Sequence, residues 1–577
     1  MASSDHAEST GAPPPEVGTG SVQRSLSDLP DRSVGGHSLA STIAVGFGIG
    51  TVLCVLNVLV LFRTGTSFGG SALVALLGAW LLRLLGRLTW QHLFIVFSLA
   101  TSGYVATAAL DTGIGTVMLQ TGRTPAWVLL VVLAATANVI GVLLGMAIAR
   151  GFVFTERLPF PTLRPAITLM QALTRSGGAE ARSLGRVLPV AAAAAGAVAV
   201  VTDVTGHDTT PGVPGASFLS LALSPLLFGL GFLIGPRACL WLAAGSAYSM
   251  VVWFVRERAD SSPISYDRHL TYPWVLACGV GLILGYSVMS LVRVRAPLAA
   301  ALTKGVRPVL ASPSGRRRAM ASAVALLAAV AALAAVWGAV VFETVGFVLL
   351  GMVLVLVFGL FLNRAGGEIG IAPLAPVLYL SVALLAALGL GPTTAVLAAA
   401  TICSTAIASV YYTYAVKVAD TAPDGETVPA RRIVWTQALG GVVGALLGIS
   451  VIYVLIHLGL IGGHSFPAPI AQALGFIDST VRDSADYSGA MGLALAVGGP
   501  VGAVLSFFGK VMPTMIGLGV LLPPAYSLTI GLGGLTRQLA IRGHAERQST
   551  VEAVASGLII GEGVVMVAVL TVRAFLE

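Results

Sequence analysis

Glu562 stands in SGLIIGEGVVMVAVL, an apolar run near the end of the chain that holds no other charge. An ionisable residue in such a run is costly to bury and is a functional candidate for that reason. Burial favours the neutral form of a carboxyl, which suits a group that loads and releases a proton. The competing role is a protonated, structural glutamate bonded to a backbone carbonyl. Glu343, between two apolar runs, is a further proton-coupling candidate, with an interfacial position as its alternative; Glu368, beside Gly366 and Gly367, and Asp111, at the end of the third run, are weaker candidates, with a loop position as the alternative for each.

A second pattern is written twice. GLGFLIGPRACLWLAAG begins at Gly229 and GLGVLLPPAYSLTIGLG begins at Gly517, with seven of seventeen positions identical. Each interrupts an apolar run with Gly and Pro at matched offsets. A helix broken inside a bilayer exposes backbone groups that must be buried in protein or line a cavity, and paired breaks of this kind point to the binding site of a transporter. Half-helix N-termini offer N–H groups and partial positive charge to a carboxylate. Ser224, Gly229, Gly231 and Gly235 in one copy, with Gly517, Gly519, Tyr526 and Ser527 in the other, are therefore the expected substrate neighbours. The glycines allow close backbone approach and the hydroxyls replace lost water contacts. The alternative is that the glycines serve helix packing alone.

The elements that must hold these residues are membrane helices. The chain has 577 residues, 56% hydrophobic and 10% charged, against about 25% charged in ordinary soluble domains, and its mean hydropathy is +0.91. The class expected is all-α: a polytopic membrane protein of roughly 14–16 transmembrane helices in two pseudo-symmetric halves, with broken or re-entrant helices. The net charge of +8 comes mostly from arginines between apolar runs, which marks cytoplasmic loops rather than nucleic-acid binding. Cys54, Cys239, Cys278 and Cys403 lie in apolar segments without metal-ligand spacing, as small core residues do.

Residues 1–38 are a polar tail of disordered composition. Spans are expected near 39–62, 69–86, 91–110, 126–149, 217–235, 237–255 and 273–292, and then near 319–341, 345–362, 372–390, 392–414, 433–460, 489–508, 511–536 and 551–574. Arginines from Arg150 to Arg186, after an even number of crossings, put the N-terminus in the cytoplasm. The basic stretch 293–318 divides an N-terminal half, 39–292, from a C-terminal half, 319–577. Arginines after 536 require a re-entrant pair broken at Pro523 and Pro524. LPFPTLRP, from Leu158, precedes the first broken motif and HSFPAPIA, from His464, precedes the second, in keeping with duplication.

These pieces carry a resemblance. FRTG, LPFPT, LSPLLFGLGFLIGPR, GGEIGIAP, FPAPIA, GLGVLLPPAYSLTIGLGGL and GLIIGEGVVM occur in one order along the chain and resemble the oligopeptide transporter superfamily, on its prokaryotic and yellow-stripe-like side. The resemblance implies a proton-coupled symporter importing small peptides, or metal ions bound to chelators such as nicotianamine or siderophores, through the cell membrane. The chain departs from the pattern at Tyr414–Val418, where members resemble DLKTG, and at Ala372-Pro373, where members resembling GETGINP have Asn-Pro.

Other classes fit less well. A membrane-embedded enzyme needs a catalytic constellation, and the sequence has no HExxH, no paired intramembrane aspartates and no Ser–His dyad. Neither a P-loop nor a soluble domain is present for primary pumping. An exporter or channel for a peptide-like metabolite shares the composition. No cofactor and no protein-held metal are expected, so a metal would travel inside its chelator. Tyr411, Tyr412 and Tyr414 read as an interfacial belt, with substrate contact as the alternative, Lys417 as a positive-inside residue, with a substrate-facing cation as the alternative, and Asn57 and Asn138 as polar groups at helical positions. The expected partners are a substrate, protons and the lipid bilayer, with the oligomeric state open between monomer and homodimer.

Overall fold

The computed structural model describes residues 36–64, 70–174, 179–205, 219–260, 264–293, 341–368, 370, 372–423, 426, 428–462, 466, 468–509, 512–542 and 548–576. They form twenty α-helices, and no β-strand occurs among them. In the first half these are α1 (Gly36–Thr64), α2 (Ser71–Leu84), α3 (Trp90–Tyr104), α4 (Leu110–Thr121), α5 (Trp127–Arg150), α6 (Arg164–Thr174), α7 (Ala179–Thr205), α8 (Pro225–Ile234), α9 (Pro236–Asp260), α10 (Tyr266–Leu270) and α11 (Pro273–Arg293). The second half supplies α12 (Val341–Glu368), α13 (Leu374–Ala387), α14 (Pro392–Asp420), α15 (Ala430–His457), α16 (Pro469–Asp483), α17 (Ala485–Leu505), α18 (Met512–Leu521), α19 (Pro524–Ile541) and α20 (Gln548–Leu576). Among the described residues seven helices are long and apolar enough to cross a membrane, and seven shorter apolar helices accompany them. The chain is an all-α polytopic membrane protein. The tail up to residue 35 and the span expected near 319–341 lie outside the described residues.

Two boundaries differ from expectation. α7, whose Pro189–Thr202 stretch is an alanine-rich apolar helix, is a further apolar element that its alanine composition, following a run of arginines, hides in the sequence. The span expected at 91–110 ends at Tyr104 and restarts as α4 after a bend at Val105–Ala109.

Apart from α10, the order of elements repeats: α1 with α12, α2 with α13, α3 and α4 with α14, α5 with α15, α6 with α16, α7 with α17, α8 with α18, α9 with α19, and α11 with α20. Their contacts repeat as well. Phe160, before Pro161, donates its N–H to the Gly367 carbonyl of α12 at 2.7 Å, and Ala468, before Pro469, donates to the Phe62 carbonyl of α1 at 2.7 Å. Both donors hold the left-handed conformation, φ 45° and 53°, which non-glycine residues seldom adopt. The LPFPT and FPAPIA motifs are thus a reciprocal clasp, each half fastening a loop onto the other.

α8 and α9 break at Gly235, φ 83°, and α18 and α19 break at Leu522–Pro523, where the paired motifs place them. Pro236 and Pro524 occupy first-turn positions of the resuming helices, where a missing N–H costs nothing. The two broken elements pack on each other through glycine. A Cβ on Gly231 of α8 would stand 2.0 Å from the Ile530 carbonyl of α19, and one on Gly519 of α18 would stand 2.0 Å from the Leu242 carbonyl of α9. Gly533 meets Phe228 at 2.1 Å and Gly245 meets Ile516 at 1.9 Å in the same sense. Small residues let membrane helices approach this closely. Elsewhere α14 runs through the interior, with 89% of its apolar window buried, whereas α17 has 22%.

Gly231→Val is expected to lower the unfolding temperature of the detergent-purified protein, because backbone rather than a flexible side chain blocks the new carbons; the cost is about 1–3 kcal/mol or more. Gly48→Ala, whose Cβ meets nothing within 4 Å, should be neutral or stabilising by up to about 1 kcal/mol. Equal responses of the two variants would refute the packing role.

Candidate functional site

α8 is ten residues long, about 15 Å, or half of a hydrocarbon core of about 30 Å. It is too short to cross on its own, and an end that stops within the hydrocarbon needs partners from the protein. At the N-terminus Ser224 caps the helix by accepting the Leu227 N–H at 3.2 Å. Glu562 of α20 receives the Ser224 hydroxyl at 2.8 and 3.0 Å and the Leu226 N–H at 2.6 Å. At the C-terminus Arg537 of α19 donates Nη1 to the carbonyls of Phe232 at 2.8 Å and Leu233 at 2.9 Å. A carboxylate thus meets the positive end of the helix dipole and a guanidinium the negative end, each worth up to about 2 kcal/mol when partly buried.

α18, also ten residues, is the counterpart of α8. Tyr266, the first residue of α10, donates its hydroxyl to the Leu521 carbonyl at the C-terminal end. Near the N-terminal end Thr514 lies close to Glu368 but outside hydrogen-bonding geometry; its Oγ1 and Glu368 Oε2 are buried without a hydrogen-bond partner among the described residues. Glu368 Oε1 accepts Arg364 Nε at 2.8 Å and the Tyr286 hydroxyl at 2.9 Å. Arg364 also donates Nη2 to the Tyr286 hydroxyl at 2.6 Å and pairs through Nη1 with Glu156 at 2.6 Å. One guanidinium thus faces two carboxylates, so the cluster carries a surplus negative charge when both are ionised. It can take up a proton and keep its ion pairing.

The sequence-predicted residues fall in separate places. Ser224 and Glu562 touch each other at the α8 N-terminus, and Gly235 lies at the break with Arg537 3.3 Å from the position of its Cβ. Tyr526 and Ser527 lie in the first turn of α19, where the buried Ser527 hydroxyl has no hydrogen-bond partner among the described residues. Gly229 faces the Ala555 carbonyl of α20, Gly517 faces Ile283 and the Gly279 carbonyl of α11, and Gly231 and Gly519 face the backbones already given. These four glycines therefore adjoin protein. Glu368 belongs to the buried cluster, and the Glu343 side chain lies outside the described residues.

Other expectations change. Tyr412 and Tyr414 are buried; the Tyr104 and Tyr411 hydroxyls lie 3.0 Å apart, and Tyr414 sits edge-on to Phe160. These tyrosines join the halves instead of forming a belt at the membrane surface. Lys417 pairs with Asp420 at 3.2 Å. Sequence reasoning missed Arg364, Glu156 and Tyr286. Arg364 was the findable one, because LFLNRAGGE sets a cation at the end of a strongly apolar run.

A family model described as OPT oligopeptide transporter protein matches residues 40–205 and 318–572, which is most of the chain. The stretch between the matched parts holds α8, α9 and α11, whose counterparts α18, α19 and α20 lie within the match apart from the last residues of α20. No curated protein matches the chain significantly.

Arg364→Met should destabilise the detergent-purified protein by about 3–5 kcal/mol, since it leaves buried carboxylates unpaired. Adding Glu156→Gln and Glu368→Gln should restore most of the loss, and unfolding temperatures measure both effects; no rescue would show that the three groups are not one network. A second expectation concerns pH. His269, in the connection between α9 and α11, bonds Ser249 at 2.9 Å and stacks on Trp253 at 4.5 Å. Burial pushes its pKa down from 6.5 to about 4. The fold therefore favours neutral imidazole, and the stability it contributes above pH 6.5 is lost as pH falls from about 6.5 toward 4. His269→Gln should flatten that part of the stability-against-pH curve, and an unchanged slope would clear His269.

Proposed function

The chain belongs to the OPT oligopeptide transporter family, and from that premise we propose that it is a proton-coupled symporter bringing small peptides, or metal ions wrapped in amino-acid-derived chelators, across the cell membrane. Transport by a multi-pass membrane protein, and not enzymatic catalysis, follows from the family. The finer assignment is supported by one observation above others: the Glu562 carboxylate sits on the N-terminal donors of a half-helix.

Those donors are where a carboxylate-bearing solute would bind, since Ser224 and the Leu226 N–H are aimed at a carboxylate already. Protonation of Glu562 removes the charge that holds it there, because charge-assisted hydrogen bonds are about twice as strong as neutral ones. The hydroxyl and N–H are then released to the carboxylate of the solute. Loss of the proton on the other side restores the Glu562 carboxylate, which displaces the solute and closes the cycle. One proton thus accompanies one carboxylate, and peptides and chelates both carry such groups. Glu368, with Glu156 and Arg364 beside it, is a second place to hold a proton near α18. On this proposal residues 39–292 and 319–577 are the two transmembrane halves, and the N-terminus faces the cytoplasm.

Proteoliposomes test the proposal with labelled di- to hexapeptides and with ferric and nickel chelates, with and without an inward acid gradient. Accumulation of one class is expected only with the gradient. Glu562→Gln should abolish gradient-driven accumulation while solute exchange across the membrane persists. Full gradient-driven accumulation by that variant would remove Glu562 from the coupling.

A further inference from the structure

The bend between α3 and α4 lies apart from both half-helices, and its chemistry is unused so far. Its residues, Val105–Ala109, contain neither Gly nor Pro, the commonest causes of a sharp kink. Two side-chain amides hold it open instead. Asn57 of α1 donates Nδ2 to the Tyr104 carbonyl at 3.3 Å, and Asn138 of α5 donates Nδ2 to the Ala106 carbonyl at 2.8 Å. The corresponding part of the other half, α14, runs unbroken from Pro392 to Asp420. The break therefore belongs to one half only, and departures from a repeat are where function is expected.

Three side-chain oxygens at this bend are buried without a hydrogen-bond partner among the described residues: Asn57 Oδ1, Thr107 Oγ1 and Asp111 Oδ2. Their residues are 1%, 0% and 0% exposed, so water does not satisfy them from outside. They share one neighbourhood. Asp111 donates its N–H to the Thr107 carbonyl at 2.9 Å, which sets the two side chains one helical turn apart on a common face. A Cβ on Gly448 of α15 would stand 2.7 Å from Thr107 Oγ1 and 3.2 Å from Cys54 Sγ. Cys54, one turn before Asn57 on α1, is within electrostatic reach of Asp111. Asp111 Oδ1 is taken by the Thr112 N–H at 2.7 Å, and Asp111 has no ion-pair partner among the described residues.

The geometry points to an alkali-metal cation, Na+ or K+, bound by Asp111, Thr107 and Asn57 at the bend. Buried oxygens left unpaired are costly, and a cation answers all three together while also balancing the Asp111 carboxylate, which a water would not. A proton on Asp111 could bridge to one neighbour and would leave the other oxygen orphaned. A divalent ion is disfavoured because Ca2+ sites draw 6–8 oxygens, several of them carboxylates, and a single carboxylate stands here. Unwound helix segments whose oxygens coordinate a small cation are an established device of membrane carriers. Asp111, a proton-coupling candidate by sequence, takes no part in the proton handling proposed above, and the inference uses none of the residues that do.

Thermal unfolding of the purified full-length protein, followed by intrinsic fluorescence, tests it at fixed pH and ionic strength with NaCl or KCl exchanged for choline chloride. A saturable rise of the unfolding midpoint by roughly a few degrees is expected with an alkali cation and not with choline. Asp111→Asn should abolish the rise while remaining as stable as the parent in choline, and Thr107→Val should weaken it and keeps the test open if the first variant fails to fold. Identical midpoints in all three salts, a midpoint that follows pH alone, or an undiminished rise in both variants would overturn the site.

Discussion

Every backbone N–H and C=O that a membrane helix leaves open must find a partner within the protein, because hydrocarbon offers none. α8 and α18, ten residues each, are too short to cross and leave four helix ends to be closed. Three of these ends are closed by side chains reaching in from other elements: Glu562 and Arg537 on α8, and Tyr266 on α18. The fourth lies beside Glu368, Thr514 and the Arg364 cluster. The charged residues of the membrane interior are thus found where the helical ladder stops, and a helix dipole selects their sign at α8.

Closing the ends in this way demands that the two broken elements lie almost in contact. The pairs Gly231 with Ile530, Gly533 with Phe228, Gly519 with Leu242 and Gly245 with Ile516 meet that demand, each glycine set against a carbonyl of the facing helix. A motif kept for packing in one half is kept for the same contact in the other. The glycines bring the backbones together, and the polar side chains at the ends do the chemistry. Ser224, between the two, caps α8 and holds Glu562.

Much of this was legible in the sequence because Gly and Pro act locally. The breaks at Gly235 and Pro523, and the apolar windows of the long spans, follow from residues a few positions apart. Glu562 was legible for a related reason, being the one charge in its run. The Arg364 cluster was harder to see, since Glu156, Tyr286 and Glu368 are brought together from three distant segments. The bend after Tyr104 left little local trace beyond the Ser102-Gly103 pair before it. It is held by Asn57 and Asn138, whose partners are backbone carbonyls on another helix, and an amide of this kind reads in sequence as one polar residue among many. α7 was missed through composition, alanine carrying little hydrophobic weight per residue.

The reciprocal clasp bears on how the chain is made. The carbonyl of Phe62 on α1 waits for Ala468, and the N–H of Phe160 waits for Gly367. Neither half can settle its own loop before the ribosome has delivered the other, so the early helices must reside in the lipid unfinished while several hundred residues follow. Assembly is then a late event shared by both halves, and cellular quality control has a long interval in which to recognise a chain that stops short.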